Sequence, residues 1–154
     1  MKSAARSMHR VIIDANIIVS AVFGGIPRKA IVKAFGHSVL YSDKIEQELK
    51  LLPAKLIHKL AVADTIELSN LIREILLKGE FVKTKNRIDI CRDKKDNHYL
   101  DLAYYSNAEI IITGDRDLFE TPKENLIKAG LKGLSIMKPK EFLNITSQAN
   151  GSNS

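Results

Sequence analysis

The chain contains a single cysteine, Cys91, among its 154 residues, which excludes an intramolecular disulfide framework. Its four histidines, His9, His37, His58 and His98, are scattered singly, and no Cys/His spacing suits zinc. A histidine-built site is therefore not expected. This usage fits a reducing cytosol, so a cytoplasmic location is expected. Long apolar runs are scarce as well. The one stretch able to imitate a signal peptide is residues 11–25, preceded by Lys2, Arg6 and Arg10, and Asp14 and Asn16 interrupt it at its heart. We read it as a buried strand followed by the start of a helix, with no membrane association. Internal repeats are missing too, and the only low-complexity segment is a Ser/Asn/Gly tail.

What is present suits one globular domain with a substantial core, since hydrophobic residues make up 45% and charged residues 27%. The net charge is +6. A basic surface favours a polyanionic partner, with Lys and Arg on phosphates, although charge alone separates this only modestly from an ordinary basic protein.

Along the chain, residues 11–14 form a near-continuous apolar run of the kind seen in central parallel strands. A short helix is expected over 16–23, stopped by Gly24 and Gly25, and a second from Pro27 to about Phe35. Residues 38–41 read as a strand. Ser42 or Asp43 then caps a helix through Leu52, and Asp43 with Glu46 has capping-box spacing. Pro53 is expected to open another helical stretch, and residues 64–78 form an amphipathic helix ended by Gly79. A brief strand over 81–84, a charged loop over 85–95, a helix over 96–106 and a strand over 109–113 follow. A strand over 134–137 and a short helix over 139–143 close the pattern. Strands alternating with helices indicate a parallel sheet covered on both faces. The expected organisation is a flexible leader over 1–9, a domain over 10–144 and a disordered tail over 145–154.

Two strands deliver acids at their carboxyl ends. Asp14 follows the first, and Asp115 and Asp117 follow Thr113-Gly114 after the fourth. Ligands of an open α/β sheet sit outside these ends, and gathered carboxylates call for a divalent cation. Asp14 suits both a helix N-cap and a metal ligand. On the helix beginning near Asp43, Ile45, Leu49 and Leu52 form the apolar stripe, which places Glu48 at its edge and Glu46 on the opposite side. Asp96 shares the inward face of the next helix with Tyr99, Leu100 and Ala103, while Asn97, His98 and Asp101 are expected to look outward. An aspartate in a first turn also favours the helix dipole, so that reading stays open for Asp96. Asp93 suits a cap or a supporting carboxylate, and Asp-x-Asp at 115–117 is also ordinary turn chemistry.

Val11-Ile-Ile-Asp-Ala-Asn16, Ser42-Asp-Lys-Ile-Glu-Gln-Glu-Leu49, Arg92-Asp-Lys-Lys-Asp-Asn-His-Tyr-Leu-Asp-Leu-Ala103 and Ile112-Thr-Gly-Asp-Arg-Asp-Leu118 together resemble the PIN-domain family. Within it the chain is similar to the bacterial group described as toxin components of toxin–antitoxin systems, the VapC-like ribonucleases. The resemblance covers roughly residues 10 to 143. It implies a three-layer α/β/α fold with a five-stranded parallel sheet and a magnesium- or manganese-dependent ribonuclease site. Carried over by motif, the acidic quartet falls on Asp14, Glu48, Asp96 and Asp115, both as metal ligands and as catalytic groups. The spacing from Asp96 to Ala103 matches the family's aspartate-to-alanine helix motif. The group commonly has proline after the first aspartate of this motif, where the present chain has Lys94.

The resemblance implies hydrolysis of RNA with a metal-activated water. Behind the ligands we place Asn16, Thr113, Asp117 and Asp93 as orienting groups, and Lys94, Lys95 and Arg116 as contacts to the RNA backbone. The expected partners are an RNA substrate, a cognate antitoxin protein and a second copy in a homodimer. Two alternatives compete with this reading. One is a PIN module that binds or processes RNA without a toxin role. The other is a receiver-like signalling domain, suggested by Lys138-Pro139 after the last strand. A receiver needs an acidic pair after its first strand and an aspartate after its third, and this chain has neither.

Overall fold

A computed structural model describes residues 8–152, with side chains described for residues 8–145. Five parallel strands, β1 (Arg10–Ile13), β2 (Ser38–Tyr41), β3 (Glu80–Phe81), β4 (Ile110–Ile112) and β5 (Ser135–Met137), lie in the order β3-β2-β1-β4-β5. The inner strands are built from β-branched residues, which pack well on a pleated surface. Val11 and Ile12 of β1 and Ile111 and Ile112 of β4 are wholly buried, as strands covered on both faces must be.

Eight helices complete the described chain: α1 (Ala15–Ala21), α2 (Gly25–Ala34), α3 (Asp43–Lys55), α4 (Val62–Lys78), α5 (Asn97–Ser106), α6 (Arg116–Phe119), α7 (Lys123–Lys128) and α8 (Pro139–Ser152). A 3-10 turn, Lys94–Asp96, leads into α5. From β1 the chain steps outward through β2 to β3, then crosses back to β4. Right-handed crossovers therefore put α1–α4 on one face and α5 with α7 on the other. Helices α1–α4 pack among themselves, α8 returns against α2, and α5 lies over β1 and β2. No single helix among the described residues is long and apolar enough to cross a membrane.

The direction of strand succession reverses between β1 and β4, so the crevice of the sheet opens where Asp14 and Thr113 leave their strands. A receiver carries its third strand beside its first, in the order 2-1-3-4-5. Here β3 is the far edge strand, and that topology overturns the receiver alternative.

Several boundaries differ from those expected. Helix α1 begins at Ala15 because Asp14 caps it. Gly24 and Gly25 adopt φ of +82° and +72°, which reverses the chain so sharply that α2 starts at Gly25. Pro27 falls in its first turn, where no N–H is needed. Pro53 lies inside α3 rather than opening a new helix. Leu52 and Leu56 pack against the core on either side of it, and that burial carries the helix past one lost hydrogen bond. Strand β3 stops at Phe81 because an edge strand with one neighbour and two exposed residues has little to hold it. Helices α6 and α7 were not expected, being too short for an apolar period to register. Helix α8 is described from Pro139 to Ser152, which reaches into the segment expected as a tail from Ile145. Phe142, fully buried, anchors its first turns. Of the expected leader, residues 1–7 lie outside the described residues. His9 is tied to the sheet by its N–H to His37 Nδ1 and its carbonyl to Ser38 N–H.

Candidate metal centre

Asp14 leaves the end of β1 as a buried carboxylate, 4% exposed, and such a group needs partners. Its Oδ1 accepts the Asn16 N–H at 3.2 Å and lies 3.1 Å from the Tyr99 hydroxyl. Its Oδ2 accepts the Thr113 hydroxyl at 2.6 Å. The cap and the site are thus one carboxylate. Asn16 contributes its backbone only, and its side chain is exposed. Thr113, at the end of β4, also accepts the Asp115 N–H at 3.0 Å, which couples Asp14 to the second strand-end acid. Asp115 Oδ1 in turn accepts the Asp117 N–H at 2.8 Å and caps α6.

Glu48 approaches from α3, half-buried, with Oε1 3.0 Å from the Tyr99 hydroxyl. Burial raises its carboxyl pKa against the Tyr99 hydrogen bond, and the Asp14 charge adds to the rise. His98 Nε2 lies 3.6 Å from Glu48 Oε1. Burial, then the charge of Lys44, pushes that imidazole down to about 4, so it is neutral near physiological pH and the pair is not an ion pair. Tyr99 is held well above the usual phenol range by burial and by the two acids, and stays protonated.

Asp96 ends the 3-10 turn and is 8% exposed, with Oδ2 lacking any hydrogen-bond partner among the described residues. Burial first, then Asp115, Asp93 and Asp14, push its carboxyl up to about 7. Ligand atoms of Asp93, Asp96 and Asp117 lie within 4.8 Å of one another. Asp93 caps the turn through the Lys95 N–H at 3.0 Å, and Asp117 Oδ1 accepts Arg92 Nε and Nη2 at 2.8 and 2.6 Å. An orphaned buried oxygen within an all-carboxylate, hard donor set fits a divalent cation of the magnesium or manganese type.

An open cleft of about 590 Å³ adjoins Glu48, with Lys44, Lys94, Lys95 and His98 in its lining. Lys95 Nζ lies 3.8 Å from Asp93, and Arg116 is paired with Glu120 rather than free. One wall of the cleft corrects the expected faces of α5. Asp101, expected outward, is 2% exposed and accepts the N–H groups of Asn86, Arg87 and Ile88 at 2.9, 2.6 and 3.2 Å. Asn97 Oδ1 accepts those of Ile90 and Cys91 at 3.0 and 2.8 Å. The irregular segment after β3 thus folds over the polar side of α5 and draws its acceptors from it. His98 is likewise largely covered, with 16% of its side chain exposed. The hydroxyl of Tyr99 and the arginine on Asp117 also escaped the sequence reading. Tyr99 registered as an apolar stripe position, and the pairing of Arg92 spans 25 residues.

The PIN-domain family model matches residues 10–117, which contain all these acids. An uncharacterized protein of Methanocaldococcus jannaschii is 32% identical over 141 residues, spanning 87% of this chain and 89% of that protein. That relative lends no support to placing the chain in the bacterial toxin group.

Proposed function

The chain belongs to the PIN-domain family, and on that premise we propose that it is a divalent-metal-dependent endoribonuclease hydrolysing RNA phosphodiester bonds. Membership suggests a nuclease, usually a metal-dependent one; RNA as substrate and magnesium or manganese as the ion are our reading. The observation that carries it is Asp96. A buried carboxylate oxygen without a hydrogen-bond partner, crowded by Asp115, Asp93 and Asp14, is costly to ionise unless a cation joins it.

In this reading Asp14, Asp96 and Asp115 would hold the ion, Glu48 would bind it directly or orient its water, and Asp93 and Asp117 would stand alongside. Bound there, the ion would supply an acidified water and neutralise charge at the phosphate. Thr113 and the Asn16 N–H hold Asp14 in place meanwhile. Lys94 and Lys95, with Lys44, would grip backbone phosphates from the cleft wall, and Arg116 would join them on leaving Glu120. The +6 net charge supports a polyanionic substrate. The toxin role is the narrower part of the proposal and rests on the motif resemblance. An antitoxin partner, a homodimer and a cytoplasmic location belong with it. Exposed Leu51 on α3 and Ile66 and Leu77 on α4 offer apolar surface for association.

The test is incubation of the purified chain with end-labelled single-stranded RNA in manganese, in magnesium and in EDTA, beside Asp96→Asn. Internal cleavage that requires the metal and disappears in the variant is expected. Cleavage that persists in EDTA or in the variant would overturn the reading. RNA bound but left intact would favour a non-hydrolytic RNA module instead.

A further inference from the structure

Tyr99 is 2% exposed on the inward side of α5, yet its hydroxyl meets three groups from other parts of the chain. The Ala15 N–H donates to it at 3.2 Å, and Asp14 Oδ1 and Glu48 Oε1 lie 3.1 and 3.0 Å away. Ala15 follows β1, Glu48 belongs to α3 on one face of the sheet, and Tyr99 belongs to α5 on the other. One oxygen therefore joins both helical layers over the end of β1.

Counting acceptor positions shows what this achieves. A carboxylate has about four. On Asp14, Oδ1 uses one for the Asn16 N–H and Oδ2 one for Thr113, and the single phenol proton lies between Asp14 Oδ1 and Glu48 Oε1, which share it. Without the phenol, neither carboxylate would meet a donor between them, and repulsion alone would act on their spacing. With it, two like-charged groups that would otherwise separate are kept at a set spacing.

We propose that Tyr99 is a positioning residue, whose single hydroxyl proton, shared by Asp14 and Glu48, sets their spacing at the cation site. This role rests on the reading of the site as a metal centre. A phenylalanine would fill the same core volume, so only the hydroxyl distinguishes positioning from packing. Partners that orient metal ligands typically change metal affinity or activity by about 10–100-fold when removed.

The experiment compares the parent chain with Tyr99→Phe by calorimetric manganese titration, by kcat and KM on RNA, and by thermal melting. Manganese binding weaker by about tenfold or more, with kcat lowered and KM for RNA nearly unchanged, is expected. A lower Tm with manganese affinity and kcat unchanged would reduce Tyr99 to a core residue and overturn the inference, leaving the nuclease reading intact. A raised KM with kcat and metal affinity unchanged would overturn it as well. Weakened manganese binding in a chain that never cleaves RNA would uphold the positioning role and sink the nuclease reading. A parent that binds no manganese would remove both. Should Tyr99→Phe fail to fold, NMR of the parent labelled at the tyrosine ζ carbons replaces it. Magnesium is then expected to shift the Tyr99 resonance and leave Tyr41, whose hydroxyl is bound to the Leu76 carbonyl, in place. A Tyr99 resonance indifferent to magnesium would refute the role.

Discussion

Replacing Asp96 with asparagine should make the metal-free protein more stable, and the size of the gain depends on pH. Burial and the neighbouring Asp115, Asp93 and Asp14 raise this carboxyl from the ordinary 3.8 to about 7. The folded chain thus keeps a proton that the unfolded chain releases near its ordinary pKa. Stability falls as pH rises from the unfolded value to the folded one, because the folded state binds more protons there, and above the folded value the full cost persists. At about 1.4 kcal/mol per pKa unit, ionising Asp96 costs on the order of 4 kcal/mol. Water at the rim of the site screens part of that cost, so about 2–4 kcal/mol is the range to expect from one substitution. Asparagine carries no charge, and Asp96 makes no side-chain cap bond to α5 that would be lost. Urea denaturation in EDTA at about pH 8 should then show Asp96→Asn more stable by about 2–4 kcal/mol, or roughly 5–15 °C in Tm for a domain of this size. At about pH 4.5 the difference should shrink below about 1 kcal/mol, since the parent holds its proton there. Manganese at about a hundred times its Kd should stabilise the parent by about 2.7 kcal/mol and the variant far less. A variant less stable than the parent near neutral pH, or a difference independent of pH, would refute the electrostatic account of Asp96.

Asp101→Ala removes the acceptor of three backbone N–H groups and should cost about 2–4 kcal/mol in urea denaturation. Faster hydrogen exchange at residues 86–88 should accompany the loss, and unchanged exchange there would contradict the anchoring role of Asp101. The Cys91 thiol, pushed up to about 12 by burial and then by Asp96, should resist thiol reagents in the native chain and react on unfolding. Prompt labelling of folded protein would contradict its burial. Light scattering should report a dimer at micromolar to millimolar concentration, and a monomer at the highest concentration would remove the homodimer from the proposal.

The fold class was legible because the signals for it are local. The Val/Ile runs of β1 and β4 are continuous, as strands buried on both faces must be, and Asp14 and Asp115 follow them directly. Glu48 could be placed from helical spacing alone, since Ile45 and Leu49 define the buried side of α3. Family motifs then joined those acids into one set, which periodicity could not do. Other features depended on neighbours far away in sequence. Helical spacing assigned Asp101 to solvent, but the segment at 86–91 covers it, because unpaired backbone N–H groups must find acceptors. Spacing likewise read Tyr99 as apolar filling and said nothing of where its hydroxyl would end. Pro53 looked like a boundary until packing of Leu52 and Leu56 outweighed one missing hydrogen bond. The sequence by itself determined which residues are apolar, where β1 and β4 end, and hence that Asp14 and Asp115 stand at the rim of the sheet. Only the tertiary structure decided that one phenol oxygen, 84 residues from Ala15, would join Asp14 to Glu48, because hydrogen bonds across layers form only after the sheet and both its helical faces are in place.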